Sequence, residues 1–178
     1  MKVRADEIKD KVRDLSAVEE VTDYPPLAAL QESGECVFLQ PLRLHLTVVR
    51  EYDHIRAEGR VETRVRLACS RCLADYETDI DSPFTIFYLR SAGVPQDEEV
   101  ELAEQDLISV TFEGDEIDFT GEIAEQVLVE IPIKPLCKEE CKGLCPNCGT
   151  DLNTAECGCS GQQANLTFSV LKNLKVNK

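Results

Sequence analysis

Six of the nine cysteines fall in the 23 residues from Cys137 to Cys159, which read C-K-E-E-C-K-G-L-C-P-N-C-G-T-D-L-N-T-A-E-C-G-C. Two more make C-S-R-C at Cys69 and Cys72, far upstream, and Cys36 stands alone. Thiols this regular are more than core filling, and whatever they bind will pin distant parts of the chain together. A C-x2-C turn aims two thiolates at one centre, and zinc takes four such ligands in a tetrahedron at about 2.3 Å each. Cys145, Cys148, Cys157 and Cys159 can close one site. Cys69, Cys72, Cys137 and Cys141 can close a second, tying a strand end to a segment much later in the chain. That partition uses every cysteine except Cys36, which precedes Val37-Phe38-Leu39 and reads as a small buried hydrophobe. One site drawn from some of the eight thiols is the open alternative, and no spacing matches the common ferredoxin runs. The cofactor expected is therefore structural Zn2+, as one or two ions.

Metal is preferred to disulfides because of where the chain is expected to work. It starts M-K-V-R-A-D-E-I-K-D and nowhere approaches the roughly 20 apolar residues a membrane span needs. The expectation is a cytoplasmic protein without membrane contact, where cysteine clusters hold metal more often than they oxidise. With 178 residues, 43% of them hydrophobic, there is material for one cored domain plus a small module. The divisions expected are 1–131 for the main domain, 132–160 for a cysteine-rich zinc-binding module packed on it, and 161–178 for a tail.

A net charge of -15 opposes generic attraction to nucleic acid. The charge is uneven, however. From Asp97 to Glu130 there are 13 acidic residues and no lysine or arginine, whereas Pro41 to Cys72 carries seven arginines against four acids. A local basic surface is thus compatible with an acidic whole.

Period-two alternation gives the clearest elements. Leu42, Leu44, Leu46 and Val48 alternate with Arg43, His45 and Thr47; after the turn Glu51-Tyr52-Asp53, Ile55, Ala57, Val61, Val65 and Leu67 face away from a polar row. Gly59 interrupts the apolar row, as a bulge or a close approach does. A third strand starts near Tyr76, Pro83 ends it, and Phe84–Leu89 makes another. Ser91 to Gln96 opens a loop, and Leu107 to Phe112 is a further strand candidate. Upstream, Ile8, Val12 and Leu15 recur at helical spacing, with a short edge strand as the alternative, and Tyr24-Pro25-Pro26 stops any helix there. Thr120 caps the best helix, with Ile123, Val127, Leu128 and Ile131 as its apolar stripe and Pro132 as its end. Leu166, Phe168, Val170, Leu171 and Leu174 form a short apolar segment in the tail. The fold class is α+β: an antiparallel β-rich domain covered by a helix, with the cysteine module near the C-terminus.

Among outward residues, Arg43, Arg56, Arg60, Arg64 and Arg66 can share one sheet face, with Arg71 inside the C-x2-C turn and Lys134, Lys138 and Lys142 extending the patch. Guanidinium forks match phosphate oxygens, so RNA backbone is a candidate ligand, against a plain mixed-charge surface with Glu58 and Glu62 as neutralisers. Nucleotide-loop, zinc-protease and nucleophile-elbow motifs are all missing. His45 and His54 sit on the polar face and read as solvated. A thiol-disulfide enzyme remains a rival for C-x2-C, but such pairs follow strands in βαβ units, and a full ligand set leaves no open coordination position.

C-S-R-C-L at 69–73, the acidic loop, and I-P-I-K-P-L-C-K-E-E-C-K-G-L-C-P-N-C-G-T-D-L-N at 131–153 together resemble the YceD-like family of large ribosomal RNA subunit accumulation proteins. The resemblance implies a bacterial cytoplasmic factor needed for 23S ribosomal RNA accumulation, with no defined catalysis. Its partners would be precursor or assembling 23S rRNA, large-subunit ribosomal proteins, or both. It implies Cys69, Cys72 and Cys141 as the firmer ligands with position 137 as the fourth, and the set at 145, 148, 157 and 159 as a reinforcement particular to one branch. A zinc-stabilised RNA-processing enzyme or a redox protein is the alternative.

Overall fold

Alternating Leu42, Leu44, Leu46 and Val48 are each 2% exposed or less, and they make β4 (Leu42–Glu51) half of a hairpin with β5 (His54–Ala68). The structure, a computed structural model, describes residues 1–91 and 109–159. Each of those side chains, removed from water, contributes about 1.5–3 kcal/mol. β5 also pairs along its whole length with β6 (Asp75–Arg90), from His54↔Leu89 to Ala68↔Asp75. At about 3.3 Å per residue this ribbon runs about 50 Å, and its closed end is the loop that holds Cys69 and Cys72.

Six strands of the described residues form the main sheet, in the order β2 (Arg13–Glu19), β4, β5, β6, β7 (Ser109–Phe112), with β3 (Cys36–Phe38) paired on β5. The sheet is mixed: most neighbours pair antiparallel, as expected of an antiparallel β-rich domain, but β7 lies parallel to β6. A two-stranded ribbon pairs β1 (Lys2–Arg4) with β8 (Glu116–Asp118). Two helices, α1 (Pro25–Glu32) and α2 (Thr120–Glu130), lie on the apolar face, burying Leu27, Ile123, Ala124 and Val127. Phe119 sets α2 against the sheet through an edge contact with Tyr88, centroids 5.1 Å apart.

Four local expectations need correction. The helical spacing of Ile8, Val12 and Leu15 belongs to no helix: Leu15 lies in β2, opposite Leu46, while Val12 is 60% exposed. Tyr24-Pro25-Pro26 starts a helix instead of stopping one, because proline in the first turn needs no amide partner and has a pre-set φ. Pro83 does not end its strand; β7 flanks β6 only at residues 87–90, so at Pro83 the strand is an edge where a missing amide costs little. Thr120 does not cap α2 but opens it, with Phe119 at the cap position, and Asp118 Oδ1 accepts the Thr120 amide at 3.0 Å and the Thr120 hydroxyl at 2.6 Å.

Gly59 is a close approach. The register runs through it without a bulge, and a Cβ there would sit 2.4 Å from Phe84 Cζ and 2.7 Å from Leu46 Cδ1. Cys36 is 1% exposed, and burial pushes its thiol up to about 11, as befits an inert core residue. The loop expected after Ser91, acids 97–106, Leu107 and the 161–178 tail lie outside the described residues.

Candidate metal centre

The end of the β5–β6 ribbon is a tight turn in which the Cys69 amide donates to Ala74 O at 2.9 Å and the Leu73 amide to Cys69 O at 2.9 Å. Leu73 takes a left-handed φ of 60°, which turns the chain back and leaves both thiols on one side. The chain leaving α2 comes to meet them. Pro135 O accepts the Ser70 amide at 2.8 Å, and Leu136 packs with Tyr76 and Leu144 around the thiols. Cys69, Cys72, Cys137 and Cys141 then lie with their sulfurs within 4.8 Å of one another. Two edges of the set, Cys69–Cys141 and Cys72–Cys137, measure 3.7 Å each. Two sulfurs bound at 2.3 Å to one tetrahedral zinc are about 3.8 Å apart, so these two edges have the length that a shared zinc ion would require.

Arg71 belongs to the frame of this quartet. Its Nη1 donates to Cys141 O at 2.8 Å and Glu139 O at 3.2 Å, and its own carbonyl accepts the Leu144 amide at 3.0 Å. Gly143 is required where the two segments touch: its φ is +74°, and a Cβ would stand 2.9 Å from Arg71 O.

Cys145, Cys148, Cys157 and Cys159 form a second quartet, again within 4.8 Å. Its turn repeats the first, with the Cys145 amide on Thr150 O at 2.8 Å and the Gly149 amide on Cys145 O at 2.9 Å. Gly149, with φ 74°, occupies the place of Leu73.

Within each quartet the thiols are pushed in opposite directions. The Cys69 thiol is brought down to about 6, chiefly by the amides of Cys137 and Cys72. Cys148 falls to about 6 through the Thr150 hydroxyl and amide. Cys137 is pushed up to about 12, chiefly by burial, and Cys159 to about 12 by its hydrogen bond with Cys148. Four thiolates this close repel, and a soft divalent cation at their centre relieves the repulsion; an all-sulfur tetrahedral set suits zinc or iron.

The arginine stripe is charge-balanced. Arg60 pairs with Asp81 (Nη2 to Oδ2 2.6 Å), Arg64 with Glu77 at 3.4 Å, and Arg66 with Glu77 at 3.1 Å, all from the neighbouring strand β6. Arg56 pairs with Glu51 at 2.8 Å and also with Glu58. Register explains this: Arg64 lies opposite Asp79 and Arg66 opposite Glu77. Among the described residues, Arg43, Lys134, Lys138 and Lys142 are exposed and have no ion pair. His45 is exposed against Ser16, and His54 bridges Asp53 and Glu51 at the hairpin turn. No helix of the described residues is long and apolar enough to cross a membrane.

The profile of the family described as "Large ribosomal RNA subunit accumulation protein YceD" matches residues 57–175, a span that holds both quartets. The chain belongs to the YceD family. A chloroplastic YCED homolog 1 of Arabidopsis thaliana, named a large ribosomal RNA subunit accumulation protein, is 26% identical over 76% of this chain and 49% of its own length. Its namesake in Zea mays is 28% identical over 67% of this chain and 48% of its own. An uncharacterised protein of Mycobacterium leprae is 28% identical over 63% of this chain and 49% of its own. The chain thus spans about half the length of the curated relatives it matches. No solved structure matches it.

One residue of this YceD-family chain escaped sequence reasoning. Asn153 donates from Nδ2 to Cys141 Sγ at 3.4 Å and accepts the Lys142 amide on Oδ1 at 2.9 Å. Its signal lies within G-T-D-L-N at 149–153, where Asp151 holds the Asn153 amide at 2.9 Å and its Nδ2 at 2.7 Å.

Proposed function

We propose that this chain is a non-catalytic factor that supports accumulation of large-subunit (23S-type) ribosomal RNA, held in shape by structural Zn2+ in two tetrathiolate sites. The observation that carries this reading is the family match over residues 57–175, within which all eight paired cysteines fall. Zinc would be held by Cys69, Cys72, Cys137 and Cys141 in one site and by Cys145, Cys148, Cys157 and Cys159 in the other. When bound it supplies cross-links and neutralises thiolate charge, which converts binding free energy into folding free energy. With four protein sulfurs around each ion, no position is left for a substrate, so the metal serves as scaffold.

The same reading places the protein in a bacterial cytoplasm, in contact with precursor 23S rRNA, a large-subunit ribosomal protein, or both. The unpaired Lys134, Lys138 and Lys142 beside the first quartet, with Arg43, are better phosphate ligands than the arginines of β5, which are already paired with acids of β4, β5 and β6. Depleting the protein from its own cells tests this: precursor 23S rRNA should accumulate and large subunits fall relative to small ones. Unchanged ribosome profiles and rRNA processing would overturn it. Crosslinking in assembling particles separates an RNA partner from a protein one. Turnover of RNA or disulfides by the zinc-loaded protein would favour the enzymatic alternative.

A further inference from the structure

The second quartet sits at the tip of a short antiparallel ladder whose base is the first. Leu144 bridges Asp151, the Leu152 amide donates to Gly143 O at 2.9 Å, and Asn153 holds the Lys142 amide. Residues 145–150, the knuckle of the second quartet, are the loop that this ladder closes. Closing that loop fixes positions 151–153, and position 153 carries the amide that reaches Cys141 Sγ.

We propose that the two sites are thermodynamically coupled, and that Asn153 is the positioning residue through which metal in the second quartet tightens the first. This rests on the zinc reading above. The physical argument has two parts. A hydrogen bond to a ligating sulfur stabilises its thiolate and fixes its direction, and losing such an outer contact typically costs 10–100-fold in metal affinity. That contact is delivered here by a segment whose own order depends on a closed loop. With the second quartet empty, residues 145–150 lose their cross-link, the ladder opens more often, and Asn153 spends less time on Cys141. Coupling of this kind is reciprocal, so filling the first site also tightens the second. Residues 141–144 take part too, since Leu144 is anchored on Arg71 O and Gly143 lies against it.

The test uses the full chain, reduced and metal-free, titrated with Zn2+ against a chromophoric chelator and with Co2+ for its thiolate charge-transfer band. Wild type should bind two ions. Cys148→Ser/Cys159→Ser should bind one, about tenfold more weakly than the first site of wild type. Asn153→Ala should bind two, with first-site affinity down about tenfold and the Co2+ band of that site shifted, because its sulfur has lost a hydrogen bond. Asn153→Asp keeps the acceptor for the Lys142 amide and loses the donor to sulfur, so its band should be shifted as well. In the Asn153→Ala background, removing the second quartet should have a smaller further effect on the first than it has in wild type. A wild type that binds no zinc overturns the zinc reading itself. Two ions bound with first-site affinity and band unmoved in both Asn153→Ala and the double serine variant overturn the coupling alone.

Discussion

The two cysteine quartets share a turn and differ in everything around it. Both knuckles use the same pair of backbone hydrogen bonds and the same left-handed residue after the second cysteine. The first quartet is assembled from the end of a long β-ribbon and a segment some 65 residues later, and three of its cysteines are buried, at 0%, 8% and 3% exposure. The second draws its four thiols from 15 consecutive residues, with Cys148 exposed. One quartet therefore closes a long loop between layers of the fold, and the other orders a local hairpin. A metal in the first should stabilise the whole molecule, and a metal in the second mainly its own neighbourhood.

Thermal unfolding of matched variants is the strongest way to break that contrast. Cys69→Ser should lower the melting temperature by about 10 °C or more, while Cys148→Ser should cost a few degrees. Equal losses would mean that both sites are local or both global. Glycine substitutions sharpen the same point at smaller scale. Gly143→Ala meets both a positive φ and a carbonyl 2.9 Å away, and should cost about 2–3 kcal/mol. Gly149→Ala has the same φ with nothing within 4 Å, and should cost about 1 kcal/mol in chemical denaturation. Leu73→Gly removes a strained left-handed leucine that is 68% exposed, and should leave stability unchanged or raise it by up to about 1 kcal/mol.

The smallest effect comes from an exposed ion pair on the β5–β6 face, apart from either quartet. The Arg60 guanidinium holds the Asp81 carboxyl below its ordinary range. A depressed carboxylate contributes stability above its unfolded value, near pH 4, and loses it as pH falls through the folded value. The gap in melting temperature between wild type and Asp81→Asn should thus be fullest above about pH 4 and close below it. Exposure and solvent screening keep that gap slight.

Thiol spacing offered both groups of four as one reading beside a single site drawn from some of the eight thiols, and the structure gathers the sulfurs into those two groups. The β4–β5 hairpin was plain, since a sheet with one buried face writes its period directly into Leu42–Val48 and Ile55–Leu67. The parallel pairing of β7 was not, because four residues cannot show which neighbour they choose or in which direction. Pro25 and Pro83 misled for one reason: proline forbids an amide hydrogen bond, and at a helix start or a strand edge none is needed. The arginine stripe was found, but its neutralisation depends on the β5–β6 register, which sets Glu77, Asp79 and Asp81 beside Arg60, Arg64 and Arg66. Asn153 was hidden because a side chain that supports a ligand carries no spacing rule of its own.

Metal counting by native mass spectrometry on the reduced full-length chain tests the central claim most directly. Two zinc ions per wild-type chain, and one in each of Cys137→Ser and Cys157→Ser, is the predicted result. A wild-type chain that carries no zinc, or a single ion that survives both substitutions, would contradict it.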